Sequence, residues 1–273
     1  MESQPTLETA EFRAELQPER GSNGGYSLVI DGVTQSHVNP DDPRDLQLPY
    51  VRRIAAVLGA LPGEAPAVLH LGAGGLTLPR YLHAIHPFAR QRVVELHPEL
   101  LDFVTTHLPL PADARIELAI GDARAEVQRL AVEGDAAWDL VLVDVFAGGA
   151  VPRHVTTGEF FAELASLLAP GGVLIVNCLN GAEPEVTGDT IAAVLELLPH
   201  LLLIGSEAVL GGMTPGNTII VASRHALDAE SIAQWLGTDP LSMATGTTVV
   251  DGPMLEELAG TVRHDAAPEL PAS

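Results

Sequence analysis

The segment Ala67–Gly75, which reads AVLHLGAGG, is the clearest indication of the fold class of this chain. A five-residue, largely apolar run is followed at once by a turn in which three of the four residues are glycine. Residues 76–85 then have the pattern of a helix. The segment therefore predicts a buried strand, a tight turn and a helix, which is the repeating unit of α/β proteins.

The same unit repeats towards the carboxyl end of the chain. Short apolar runs alternate with helical segments, and a glycine-rich loop rather than a strong helix separates the last two runs. We therefore predict an α/β fold with a Rossmann-like, seven-stranded, mostly parallel sheet that has helices on both faces and an antiparallel last strand. The predicted strands cover residues 67–71, 92–96, 115–120, 138–143, 173–178, 201–204 and 218–221.

A small N-terminal β-hairpin precedes this sheet in the prediction, because Tyr26–Ile30 and Val33–Gln35 flank an Asp-Gly pair that favours a tight turn. The chain then divides into three parts. Residues 1–62 hold a flexible N-terminus, the hairpin and a linking helix. Residues 63–225 form the nucleotide-binding domain, and residues 226–273 supply short helices and a disordered tail.

The net charge of the chain is -22, and all 14 of its basic residues are arginine. Such a surface repels phosphate backbones, so we expect no nucleic-acid partner, whereas a cationic small molecule fits the charge.

No apolar run is long enough to span a bilayer and the N-terminus is polar, so we expect no membrane partner and a cytoplasmic protein. The single cysteine, Cys178, excludes an internal disulfide, and no ligand spacing predicts a metal site.

The residues that carry chemistry follow the predicted strands. In an open parallel sheet, ligands bind beyond the carboxyl ends of the strands. Four consecutive strand ends carry either a glycine turn or a carboxylate, which predicts a nucleotide site at that edge, and the fifth carries an amide. In strand order, these residues are Gly72, Gly74 and Gly75, then Glu95, Asp122, Asp144 and Asn177.

The glycine pattern indicates a nucleoside without phosphates. Thr77 stands where a dinucleotide fingerprint has its third glycine, and the turn has no basic residue to meet a pyrophosphate. Glu95 lies 21 residues after Gly74, close to the spacing of roughly 20 residues at which an acid receives ribose hydroxyls. Asp122 would accept the exocyclic amine of adenine. Helix capping is the alternative interpretation of both acids, since each precedes a helix.

The order of elements, Glu95, Gly121-Asp122 and WDLVLVD at residues 138–144 resemble the class I S-adenosylmethionine methyltransferase fold. More narrowly, YSLVIDGVTQS at 26–36, followed by the glycine turn, and VPRHVTTGEFF at 151–161 resemble the polyamine aminopropyltransferases, the spermidine synthase family. The resemblance covers about residues 25–223. It implies S-adenosylmethionine or its decarboxylated form as co-substrate, a small-molecule acceptor such as a polyamine, and a homodimer.

The resemblance also implies roles for individual residues. Glu95 would hold the ribose, Asp122 and Ala123 the adenine, and Asp144 would be the catalytic acid/base that holds and deprotonates an acceptor amine. The other residues it implies are Gln35, Gly72, Gly74 and Gly75 for the co-substrate, and Tyr50, Asn177 and Thr214 for the acceptor.

The acceptor side departs from the family pattern. Gly75 and Ala147 stand where the family has acids, and Tyr50-Val51-Arg52 stands where it has Tyr-Gln-Glu. Thr214 replaces a tyrosine. Because the missing acids bind the ammonium groups of a diamine, three functions stay open: an aminopropyl-type transferase, a methyltransferase on another acceptor, and an inactive binding module. The incomplete glycine pattern disfavours a nicotinamide oxidoreductase.

Overall fold

The computed structural model describes residues 4–19, 24–61, 63, 65–134, 137–146, 151–181 and 184–266. These residues form two β-sheets, with helices packed on both faces of the larger one. The helices are α1 (Pro49–Gly59), α2 (Thr77–Ile85), α3 (Pro98–His107), α4 (Ala123–Glu133), α5 (Gly158–Leu167), α6 (Pro184–Leu195), α7 (Glu207–Leu210), α8 (Ala229–Thr238), α9 (Pro240–Ala244) and α10 (Pro253–Leu258).

The N-terminal sheet is antiparallel and contains the predicted hairpin. Its strands lie in chain order as β1 (Thr6–Glu8), β2 (Arg13–Pro18), β3 (Tyr26–Ile30) and β4 (Val33–Val38). The prediction of a flexible N-terminus is wrong for the residues in β1 and β2. Only Ala14 and Leu16 of β2 are buried, and Leu16 pairs with Leu28 of β3, so the apolar alternation is too short to stand out in the sequence.

The main sheet confirms the α/β prediction. Its strand order is β12-β10-β11-β9-β8-β5-β6-β7. From β9 through β7 the pairs are parallel, and β11 lies antiparallel between β9 and β10, as predicted. The strands are β5 (Ala67–Leu71), β6 (Arg90–Glu95), β7 (Ile116–Ile120), β8 (Trp138–Val143), β9 (Leu168–Asn180), β10 (His200–Ser206), β11 (Gly216–Ser223) and β12 (Thr247–Val250).

Strand β12 is an eighth strand that the sequence analysis missed, because it assigned residues 226–273 to helices and a tail. Its sequence, Thr-Thr-Val-Val, consists of β-branched residues that favour a strand, and it pairs with the outer edge of β10. Residues 259–266 also lie against the domain through specific hydrogen bonds. The rest of the predicted tail, residues 267–273, lies outside the described residues.

The core has one layer on each face of the main sheet and a third beneath the N-terminal sheet. Leu69 of β5 faces a cluster with α4 and α5, whereas its neighbour Val68 faces a cluster with α1. The third cluster joins the N-terminal sheet to α3 and includes Leu28 and Val104. The N-terminal sheet is thus packed against the glycine-turn end of the main sheet. No helix in the described ranges has both the length and the apolar character needed to cross a bilayer.

Candidate functional site

The strand register brings the predicted residues to one edge of the main sheet. The last paired positions of β5, β6, β8 and β9 lie side by side. The N–H of Asp144 donates to the carbonyl of Leu71 at 2.9 Å, and the N–H of Gly72 donates to that of Val94 at 2.9 Å. Asp122 follows β7 at the end of the same edge. The residues that line up directly after the paired positions are Gly72, Glu95, Asp144 and Asn177.

Gly72 lets the glycine turn touch the strand that carries Asp144. Its φ is +97°, in the left-handed region that favours glycine, and a Cβ here would lie 2.2 Å from the carbonyl oxygen of Asp144. A side chain would push the ends of β5 and β8 apart. Close approach of protein backbone is therefore a sufficient reason for this glycine, apart from any ligand.

Gly74 and Gly75 face the N-terminal sheet. The N–H of Gly75 donates to Oγ of Ser36 at 3.0 Å. A Cβ at Gly75 would lie 2.7 Å from Cγ2 of Val38 and 2.9 Å from Cβ of Ser36. One at Gly74 would lie 2.8 Å from Oγ of Ser36. Strand β4 thus closes this side of the turn, and the aspartate expected at position 75 from the family resemblance has no room here.

Glu95 is buried and holds the turn together. Its Oε2 accepts the N–H of Ala73 at 3.1 Å, and its Oε1 accepts the N–H of His97 at 3.0 Å. Its carboxylate does not cap α3, whose N-terminal position is His97 and has no side-chain cap. An ionised carboxylate has about four acceptor sites. Glu95 therefore keeps capacity to accept further hydrogen bonds while it positions the glycine turn.

Asp122 has both a capping role and an outward-facing oxygen. Its Oδ1 accepts the N–H of Ala125 at 3.0 Å, so it caps α4, as the alternative interpretation held. Its Oδ2 lies 2.8 Å from Nε2 of His154. Partial burial opposes ionisation, but the hydrogen bonds from Ala125 and His154 outweigh it and lower the pKa of Asp122. Ala123, the first residue of α4, is buried in the core.

Asp144 is held by a relay of polar side chains. Nδ2 of Asn177 donates to its Oδ1 at 2.7 Å, and Nδ2 of Asn217 donates to Oδ1 of Asn177 at 3.0 Å. Nη1 of Arg53 donates to the carbonyl of Asn217 at 2.9 Å. Burial raises the pKa of Asp144, although the bond from Asn177 acts in the opposite direction. No described residue donates to Oδ2.

Tyr50 lies on the acceptor side of Asp144. Its hydroxyl donates to the backbone carbonyl of Gln35 at 3.3 Å. Burial, and then the charge of Asp144, raise the pKa of Tyr50 well above its ordinary value, so the phenol is neutral. Arg52, in contrast, forms an ion pair with Asp239. Thr214 lies on an exposed turn after α7, and Ala147 lies outside the described residues.

Two residues of the relay were missed in the sequence analysis. Asn217 is the second residue of β11 and lies in a stretch of sequence that has no distinctive pattern. Arg53 is a charged residue at a buried position of α1, one helical turn after Tyr50, but its burial is seen only in the structure. Nε of Arg53 donates to Oγ1 of Thr247 in β12 at 3.3 Å.

Within the described ranges, no three His, Cys, Asp or Glu side chains converge as a metal site would require.

The chain resembles known proteins in both sequence and structure. No protein-family model matches the chain. Over its full length it superposes on a probable spermidine synthase from Corynebacterium glutamicum, with a TM-score of 0.85, 27% identity and 98% of both chains covered. The chain is similar to the spermidine synthases and has a methyltransferase-like fold. The predicted family resemblance is confirmed.

Two groups of curated relatives match this spermidine-synthase-like chain. The polyamine aminopropyltransferase of Vibrio vulnificus is 31% identical over 147 residues, 54% of this chain and 48% of that protein, so the match spans about half of its length. The polyamine aminopropyltransferase of Chromobacterium violaceum is 28% identical over 212 residues, 77% of this chain and 75% of that protein. An eEF1A lysine and N-terminal methyltransferase of Danio rerio is 31% identical over 137 residues, 47% of this chain but only 20% of that protein. Human methyltransferase-like protein 13, solved in complex with SAH, shares the fold at a TM-score of 0.59 and 20% identity, with 82% of this chain and 98% of that chain covered.

Proposed function

We propose that this chain binds an adenosyl sulfonium at the carboxyl edge of the main sheet and transfers a group from it to an amine, with Asp144 as the acid/base. The observation that carries the proposal is the state of Asp144. Its carboxyl group lies between Asn177 and Gly72 in the line of strand ends, and its pKa is raised by burial. Asn177 orients one oxygen, while no described residue donates to the other.

The nucleotide side offers the groups that an adenosine needs. Glu95 has spare acceptor capacity for ribose hydroxyls, and Oδ2 of Asp122, which already contacts His154, has a second acceptor site. Leu96 and Ile120, which flank these acids, are each 53% exposed and supply apolar surface for the faces of a purine. The turn has no basic residue, which agrees with a nucleoside that lacks phosphates.

Asp144 would act on the acceptor. When bound, an adenosyl sulfonium supplies a carbon atom activated by positively charged sulfur. An aliphatic amine has a pKa of about 10.4 and must lose a proton before its nitrogen can attack. Oδ2 of Asp144 takes that proton first. The freed nitrogen lone pair then forms the nitrogen–carbon bond as the carbon–sulfur bond breaks, which leaves a neutral thioether. A carboxyl group whose pKa is raised is a better proton acceptor than an exposed one.

A methyltransferase is the second candidate, and the packing of Gly75 favours it. An aspartate that would grip an aminopropyl ammonium cannot occupy position 75 without displacing Val38 and Ser36. Arg52 is positively charged where the resemblance expects an acid, and it is paired with Asp239. Both features remove negative charge from the region where a diamine would need it.

Calorimetric binding followed by product analysis would test the proposal. S-adenosylmethionine, its decarboxylated form and methylthioadenosine would be titrated into the full chain, and the protein would then be incubated with a panel of amines. Methylthioadenosine as a product supports aminopropyl-type transfer, and S-adenosylhomocysteine supports methyl transfer. Binding without any product on any amine would leave the chain as a binding module, and absence of binding by all three ligands would refute the proposal.

A further inference from the structure

The C-terminal strap, residues 259–266, runs from the end of α10 across α6 towards the site. Both carboxylate oxygens of Asp189 on α6 are used to hold it. One accepts the N–H of Thr261 at 2.8 Å, and the other accepts Nε of Arg263 at 2.7 Å. The strap is therefore tied down by charge-assisted bonds and not by apolar contact alone.

The second half of the strap covers the N-terminus of α5. The N–H of Gly158 donates to the carbonyl of Arg263 at 2.7 Å, and Glu159 accepts the N–H of Asp265 at 3.1 Å. A Cβ at Gly158 would lie 2.9 Å from Cγ1 of Val262, so strap and helix are in direct contact. The strap thereby satisfies an N–H group that the first turn of a helix leaves unpaired.

Asp265 connects the strap to the nucleotide side of the site through Arg124. The two side chains form a bidentate pair, with N–O distances of 2.6 and 2.7 Å, and Oγ1 of Thr157 donates to Asp265 at 2.9 Å. Nη1 of Arg124 also donates to the carbonyl of His154 at 3.1 Å. The ring of that histidine is the partner of Asp122. A continuous set of polar contacts thus joins the strap to the acid proposed to bind adenine.

We propose that Asp265 is a positioning residue for nucleotide binding. Through Arg124 it holds residues 151–157, and with them the His154 ring, against Asp122. This inference rests on the proposed function for the role of Asp122, but the ordering of residues 151–157 by the strap is independent of it. Asp265 is 41% exposed, so its loss loosens the segment without opening the core. A ligand must then order the segment as it binds, which lowers its affinity.

The chain offers a matched control on the same guanidinium. Glu163 of α5 also binds Arg124, with Nε–Oε2 and Nη2–Oε1 distances of 2.9 Å each, but it makes no bond to the strap. Asp265→Asn and Glu163→Gln therefore each remove one carboxylate charge from Arg124. Only the first cuts the link between the strap and residues 151–157. Asp265→Glu keeps the charge and serves as the conservative rescue.

The experiment is hydrogen exchange of residues 155–158 in the ligand-free full chain, together with methylthioadenosine affinity and the thermal midpoint of each variant. For Asp265→Asn we expect exchange to be about tenfold faster and affinity to fall about fivefold. For Glu163→Gln we expect exchange and affinity within about twofold of the parent. Asp265→Glu should recover part of the lost protection.

Equal exchange rates in Asp265→Asn and Glu163→Gln would overturn the proposal, whatever the ligand data show. Faster exchange in Asp265→Asn with unchanged affinity would also overturn the positioning role, because the strap would then order a segment that the ligand does not need. If the parent chain binds no adenosyl compound, the proposed function fails, and the exchange measurement alone still decides whether Asp265 orders the segment.

Discussion

The two sides of the proposed site, one for the nucleotide and one for the acceptor, are built in different ways. On the side proposed for the nucleotide, Glu95 and Asp122 are placed by neighbouring parallel strands. Glu95 accepts the N–H groups of Ala73 and His97, and Asp122 accepts that of Ala125. On the acceptor side, Tyr50 and Gly75 are placed by contacts with the N-terminal sheet, and Asn177 is placed by a side chain from β11. The first arrangement follows from the sheet itself, whereas the second depends on which distant elements pack beside it. A protein can therefore keep the nucleotide side of this fold while it changes the acceptor.

The largest effect that separates the two sides should come from Asp144→Asn. Proton transfer by a positioned side chain contributes about 10²–10⁴-fold to a rate, so turnover should fall by roughly that factor while methylthioadenosine affinity stays within about twofold. Because burial raises the pKa of Asp144, its ionised form is penalised in the folded protein at neutral pH. The amide should therefore also raise the free energy of unfolding, as measured by urea denaturation. An unaltered turnover rate would remove Asp144 from the reaction.

The nucleotide side is tested by Asp122→Ala, which should lower the affinity for methylthioadenosine by roughly 10–100-fold, as expected for loss of a charged acceptor. The same change removes a helix cap, which costs about 1 kcal/mol. Asp228→Ala is the matched control, because Asp228 caps α8 with a hydrogen bond of the same length, accepting the N–H of Ser231 at 3.0 Å. If both variants lose stability but neither loses affinity, Asp122 is a cap and nothing more.

These two acids also show what could be predicted from the sequence. A strand ends where its apolar run stops, so the residues after β5, β6, β7 and β8 could be assigned to one edge from the apolar pattern alone. The capping bond of Asp122 could be anticipated too, since a carboxylate directly before a helix can cap it, whereas the same expectation for Glu95 was wrong. The α/β class and the antiparallel β11 followed from the same alternation of apolar runs and helical segments, and the family resemblance followed from local motifs.

The contacts of the acceptor side could not be predicted in this way, because they join segments far apart in the chain. Ser36 meets Gly75 from a different sheet, and Arg53 reaches Asn217 across 164 positions. Neither contact produces a local periodic pattern of apolar residues in the sequence. Strand β12 was missed for a related reason, since its Thr-Thr-Val-Val run is short and its role is to support Arg53 from the far end of the chain.

Gly75→Ala tests how tightly β4 packs against the glycine turn, through the free energy of unfolding. The added methyl group would meet Val38 and Ser36 at less than 3.0 Å, so we expect a loss of about 1–3 kcal/mol in the free energy of unfolding. Gly121→Ala is the control, because a Cβ there would meet no atom within 4 Å. The Val38→Ala change should cost less in the Gly75→Ala background than in the parent, as a double-mutant cycle by urea denaturation would measure. Full additivity would show that β4 yields freely and that an acid at position 75 is excluded for another reason.

The smallest effect should come from Asn217→Ala, which tests whether the relay orients Asp144. The change leaves Asp144 and Asn177 in place but removes the donor that fixes the Asn177 amide, so Nδ2 of Asn177 faces Asp144 for less of the time. We expect turnover to fall about threefold to tenfold with ligand affinity unchanged, since one neutral hydrogen bond is worth about 0.5–1.5 kcal/mol. Asn180→Ala is the matched control, because Asn180 bonds to Thr218 at 3.1 Å beside the relay without touching Asn177. Equal losses in both variants would mean that the amides only support β9 and β11, and that Asp144 needs no orientation from the acceptor side.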